Sequence, residues 1–177
     1  RRFFDEHASL PPWFDQHRAR RAQRWASARL FHVTASLFCA SLPIAYAGAR
    51  GARVLTSTGS MQGKRLDRRV NETAQFVMDV LEDGGFSSRG SAIRAIQKVR
   101  LMHAAVRAHL VERGAIADEV PINQEDLLGT LFTFSVVVVR SLRLLGIPVD
   151  DEEADDHYQL WRVAGAMLGI DQRLLPI

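Results

Sequence analysis

Lys98-Val-Arg-Leu-Met-His-Ala-Ala-Val-Arg107 is the stretch on which the reading of this chain turns. Around it Ile93, Ile96, Val99, Val106 and Leu110 recur at spacings of three, four and seven residues, one face of an α-helix. His103 interrupts that stripe, so its imidazole points toward the core side. A buried imidazole needs a hydrogen-bond partner or something to bind. The residues alone leave both readings open: a core histidine satisfied by its neighbours, or a ligand to a metal or a haem iron.

Helical signals extend outward in both directions. The His103 helix is capped by Ser88 or Ser91 and stops at Gly114. Before it, Lys64 to Leu81 places Val70, Phe76, Val77, Val80 and Leu81 on one side, and Gly84-Gly85 ends the segment. After it, Asn123-Gln-Glu-Asp126 reads as a capping box that opens a helix to about Leu145, where Gly146-Ile-Pro148 stops it. The acidic run Asp150 to Asp156 suits a helix N-terminus and leads a helix carrying Tyr158, Leu160, Trp161, Val163 and Met167. Nearer the start, Pro11-Pro12 opens a helix over Trp13 to Trp25 with few apolar positions, expected at the surface. A further apolar segment runs from Leu30 to Tyr46. The Gly48 to Gly51 and Ser57 to Ser60 clusters mark a loop. The β-prone run Val136 to Val139 sits inside a capped helical segment and is read as helix. No repeat or linker divides residues 1–177, which read as one all-α domain.

Composition narrows the classes of function. The chain has 177 residues, 47% of them hydrophobic, enough for a substantial core. Its formal charge of +3 combines a basic run, Arg18 to Arg24, with the acidic run at Asp150, so two oppositely charged surfaces are expected and no nucleic-acid footprint. Cys39 is the sole cysteine; it excludes an internal disulfide and reads as a buried, inert thiol. The apolar stretch Leu127 to Val139 is short of the about twenty residues a membrane helix needs, so no transmembrane segment is expected. The first residue is not Met, so the sequence is silent on export.

Arg69 and Thr73 lie four positions apart and share a face of the helix that precedes His103. An arginine buried there must meet an anion, because an isolated interior charge costs several kcal/mol. Glu72 can supply an ordinary surface ion pair; the functional reading puts an anionic ligand group in a pocket. The histidines His7, His17, His32, His103, His109 and His157 show no zinc-type spacing. Walker loops and nucleophile elbows are missing as well.

Gln75-Phe-Val-Met-Asp79, the His103 stretch, Ile122-Asn-Gln-Glu-Asp-Leu127 and Trp161-Arg-Val-Ala-Gly-Ala-Met-Leu-Gly169 closely resemble the latex-clearing protein (rubber oxygenase) and MpaB-type oxygenase family. Leu10-Pro-Pro-Trp-Phe-Asp15 is similar to that family's N-terminal segment, so the likeness spans nearly the whole chain. It implies an all-α, globin-related helical bundle around a haem pocket, with haem b bound by a proximal histidine at His103. It further implies a distal Arg and Thr at Arg69 and Thr73, with Met102, Val106, Phe76 and Val77 lining the haem or substrate pocket. The activity implied is cleavage of a C=C bond of polyisoprene or another isoprenoid with dioxygen.

Two departures from the family stand out. A lysine that precedes the distal Thr in some members is Glu72 here, and the family's catalytic glutamate is not assigned in this chain, Glu72 being a weak substitute for it. Family members also carry further helices after the Leu175-Pro176-Ile177 segment, which implies pocket wall outside this chain. Two other readings stand beside the enzyme: a haem-binding sensor or ligand carrier without catalysis, and a cofactor-free helical module docking through its basic and acidic faces. Natural substrate and oligomeric state are not legible.

Overall fold

The computed structural model describes residues 2–48, 53–54, 56–57, 64–88, 90–114 and 120–176, and all regular structure among them is helical. The elements are α1 (Arg2–Glu6), α2 (Gln16–Ala28), α3 (Leu30–Ala47), α4 (Lys64–Leu81), α5 (Ser91–Glu112), α6 (Gln124–Leu144) and α7 (Asp151–Leu168), followed by a short 3-10 turn, Gln172–Leu174. The loop expected at Gly48 to Gly51 and Ser57 to Ser60 lies largely outside the described residues.

α7 is the axis of the bundle. It opens with a capping box in which Asp150 accepts from the Glu153 amide and Glu153 reaches back to the Asp150 amide, two orphan donors satisfied at once. Leu160, Trp161, Val163, Ala164 and Met167 are then buried, and α2, α5 and α6 all pack on this helix. The expected surface position of the first helix is corrected. It begins at Gln16 with Asp15 as cap, and Ala19, Ala22, Gln23, Trp25 and Ala26 are buried, because small residues let α2 lie close to α7.

That contact also corrects the expectation of two separate charged surfaces. Arg18 pairs with Asp155 and Asp156, and Arg21 with Asp156 and Glu152, so the basic and acidic runs meet each other. Asp156 is the buried member, 3% exposed, and its two arginines hold its carboxyl below the usual range against the opposing effect of burial. A docking module that presents those two faces to partners loses its basis.

α3 and α6 each contain one π-helical turn, Leu37–Ser41 and Thr133–Val137, and pack on one another there. The β-prone valines are therefore helical, but in a widened turn. Cys39 is exposed, contrary to expectation: Leu37 and Ser41 occupy the buried side of the turn, and a residue two positions from each faces away. Read as continuous helices, Leu30–Ala47 and Gln124–Leu144 are both long and apolar enough to cross a membrane by length and composition, although 44% of the α6 window is buried in the fold.

Candidate functional site

α4 and α5 form the hairpin that carries the candidate residues, and their connection is tightly specified. Gly84 adopts φ +79°, and a Cβ on Gly90 would stand 2.1 Å from the Gly85 carbonyl oxygen, so the turn closes only with glycine there. Gly90 is the N-cap of α5; Ser91, expected as a cap, instead donates its hydroxyl to Glu82 at 2.6 Å and ties the two helix ends together. α4 then runs back along α5.

On α4, Arg69 and Thr73 are both half-buried. Arg68, and not Arg69, takes Glu72, at 2.7 Å with i,i+4 spacing. Arg69 Nε is buried with no hydrogen-bond partner among the described residues. The surface ion pair foreseen for Arg69 is thus replaced by an orphaned donor. One turn past Thr73, Phe76 leans on Trp161 and Phe134, with ring centroids 6.1 and 6.4 Å away. Phe134 and Trp161 stack at 5.0 Å, giving the site an aromatic flank drawn from three helices.

On α5, His103 is half-buried and its Nδ1 is fully enclosed with no partner; no hydrogen bond to either ring nitrogen occurs among the described residues. Burial, assisted by the charges of Arg107 and Arg69, lowers its pKa to about 4. The imidazole is therefore neutral at physiological pH and keeps a lone pair uncommitted. Met102 is 45% exposed and Val106 half-buried. Arg100, three residues before His103, donates to the Met167 carbonyl at 3.0 Å and satisfies the C-terminal end of α7.

Arg107 was not foreseen. Its Nε donates to the Pro121 carbonyl at 3.0 Å and its Nη2 to that of Ile122 at 2.6 Å. Ile122 has φ +54°, a left-handed conformation that a β-branched residue takes at a cost of about 1–2 kcal/mol. Two hydrogen bonds from a charged donor, each worth about 1.5–3 kcal/mol, are sufficient to hold it. Directly after it, Asn123 and Asp126 form the capping box of α6, at 3.0 and 3.1 Å. An arginine that donates only to main-chain carbonyls leaves no charge pattern in sequence. Only its place one helical turn past His103 hinted at it.

His157 is the other residue missed. It is fully buried among Trp25, Trp161 and the π turn of α6, with Nε2 3.2 Å from the Phe134 carbonyl. A carbonyl only accepts, so Nε2 carries the proton and Nδ1 is left bare. Burial lowers its pKa to about 4, opposed by that hydrogen bond. Its spacing from Leu160, Trp161 and Ala164 placed it on the apolar face of α7, the signal that could have found it.

A groove of about 400 Å³ lies between α6 and α7, lined by Val136, Val139, Arg140, Leu144 and Tyr158 among others. None of Arg69, Thr73 or His103 lines it, so the candidate site rests on orphaned polar atoms and not on that groove. No cluster of three or more His, Cys, Asp or Glu with metal-site geometry occurs among the described residues. The donor set on the α4–α5 face is one neutral imidazole with cationic and hydroxyl donors beside it. That set fits a flat, anionic, metal-bearing cofactor that supplies its own equatorial ligands.

The bundle is all-α, and its α4–α5 hairpin carries an imidazole nitrogen and an arginine nitrogen that are enclosed without a hydrogen-bond partner among the described residues. The chain belongs to the family described as ER-bound oxygenase mpaB/B'/Rubber oxygenase, catalytic domain, which matches residues 19–176. It is 27% identical over 181 residues to Rubber oxygenase of Streptomyces sp. (strain K30), covering 99% of this chain and 44% of that protein. It is also similar to the solved structure of Latex Clearing Protein LCP in the closed state, with a TM-score of 0.87 and 25% identity over 100% of this chain and 48% of that one. The chain thus spans about half the length of these relatives. The all-α fold read from the sequence is that of this family.

Proposed function

We propose that residues 1–177 form a single all-α haem-binding domain of an oxygenase. In this reading His103 is the proximal ligand of haem b, and Arg69 and Thr73 are the distal hydrogen-bond donors. The observation that carries it is the pairing of two orphaned, buried polar atoms on facing helices, Nδ1 of His103 and Nε of Arg69. Most buried polar atoms of a folded core have a partner; a haem would offer its iron to the imidazole and its carboxylates to the guanidinium.

When bound, the haem supplies the redox-active iron at which dioxygen is activated. The chain's own residues set the conditions. With the pKa of His103 near 4, a proton would not compete with a metal for its lone pair above pH 5. Arg69 and the Thr73 hydroxyl would be the hydrogen-bond donors of α4 toward an anionic or polarised oxygen, a preorganised stabilisation of about 3 kcal/mol per donor. Met102 and Val106 flank the ligand residue and contribute apolar contact to the porphyrin, while Phe76 and Val77 offer hydrocarbon surface on the opposite helix. That surface suits an isoprenoid, and the reaction proposed is oxidative cleavage of its C=C bond to carbonyl products.

The test is oxygen uptake by the chain reconstituted with haem, with and without a polyisoprene oligomer, followed by carbonyl analysis of the products. Oxygen uptake that depends on the oligomer, with aldehyde or ketone ends formed, supports the proposal. Stable haem binding with no substrate-dependent uptake would leave a ligand carrier instead.

A further inference from the structure

We infer that Arg107 is a positioning residue for the imidazole site: its fork on the carbonyls of Pro121 and Ile122 pins the turn ahead of α6 to the face of α5 that carries His103, and so fixes how the ring meets its ligand. The inference rests on the haem reading of that site. Arg107 lies one helical turn beyond His103 on the same face of α5. His103 itself is held by no hydrogen bond among the described residues, so its orientation depends on what surrounds it.

The turn that Arg107 grips is the least relaxed backbone on the described chain: Ile122 is the one non-glycine residue there with positive φ. The capping box of Asn123 and Asp126 fixes the start of α6, and Gln124 ties that start to Gly169 and Asp171 after α7, but neither reaches α5. The guanidinium makes the link between the two helices through two donors held in one plane, at 3.0 and 2.6 Å. A lysine would keep the charge but not the fork. The outer partners of a metal-bound histidine orient it and tune its affinity, and losing one typically weakens binding about tenfold or more. Arg107 makes no hydrogen bond to His103 among the described residues; its hold on the site runs through the turn that it ties to α5.

The experiment compares wild type, Arg107→Lys and the double variant Arg107→Lys, Ile122→Gly, using hemin as the probe. Two readouts are needed: hydrogen exchange of the amides of residues 122–127 in the apo chain, and the electron paramagnetic resonance spectrum and haem-loss rate of the ferric complex. Arg107→Lys is expected to speed exchange, to split the single ferric species into several, and to lose haem about tenfold faster. The double variant, relieved of the left-handed isoleucine, is expected to fold even if the single variant does not, and to keep the faster exchange and the mixed ferric species because the fork is still missing. Unchanged exchange in Arg107→Lys, or an unchanged ferric spectrum and haem-loss rate, overturns the inference. Failure of the wild-type chain to bind hemin overturns the haem reading instead, and the exchange arm in the apo chain still decides whether Arg107 holds the turn.

Discussion

Two histidines of this bundle have the same depressed pKa, about 4, and opposite surroundings. His157 sits between two tryptophans, is 0% exposed, and donates a hydrogen bond from Nε2 to the Phe134 carbonyl in the π turn of α6. His103 is half-buried, holds no hydrogen bond among the described residues, and has two arginines acting on it. Burial alone therefore does not mark a ligand. What separates the two is whether the fold has already answered the ring's need for a partner, and at His157 it has done so on one side.

The comparison can be broken most strongly through pH. Both folded pKa values lie below the unfolded value near 6.5, so between about pH 4 and 6.5 the unfolded chain binds more protons and stability rises with pH across that window. His157, wholly enclosed, is expected to contribute on the order of 3 kcal/mol between the two ends. Thermal melts of apo protein at pH 5 and pH 7.5 check this: His157→Phe should flatten the slope, and an unchanged slope would show that the ring is already protonated or solvated in the fold.

Arg69 sharpens the other half of the comparison. Arg69→Ala should leave haem bound but slow substrate-dependent oxygen uptake about 100-fold, the effect of removing one preorganised donor. Equal turnover would remove Arg69 from the distal side. A smaller effect belongs to Asp156, whose partners Arg18 and Arg21 are 32% and 49% exposed and so retain water when it is lost. Asp156→Asn is expected to cost about 2 kcal/mol at pH 7, less than a fully buried pair. Because the folded pKa of Asp156 is depressed, its contribution is present above about pH 4 and disappears as pH falls through the folded value. Urea titrations at pH 7 and pH 3 should therefore find wild type and variant far apart at the first and converging at the second.

Local rules carried most of the fold. The 3.6-residue stripe bounded by Gly84-Gly85 set the end of α4 at Leu81, and the box at Asn123 and the acidic run at Asp150 located two helix starts within a residue. Long-range pairing was not legible. The basic run at Arg18 and the acidic run at Asp150 look like two faces until the chain brings them together, and only coordinates show that they neutralise each other. The π turns escaped because one extra residue per turn leaves no composition signal, and Cys39 was misplaced with them. Arg69, Thr73 and His103 were singled out by helix face and by family likeness, and the structure carries them on the adjoining helices α4 and α5. Arg107 was not, since its acceptors are main-chain carbonyls, and neither was the choice of Arg68 over Arg69 by Glu72.

The most direct measurement is a titration of apo protein with hemin, followed by Soret absorbance, in wild type, His103→Ala and His157→Phe. The account expects a saturable Soret band with one equivalent in wild type and in His157→Phe, and no retained haem after gel filtration in His103→Ala. A full, retained band in His103→Ala would contradict it.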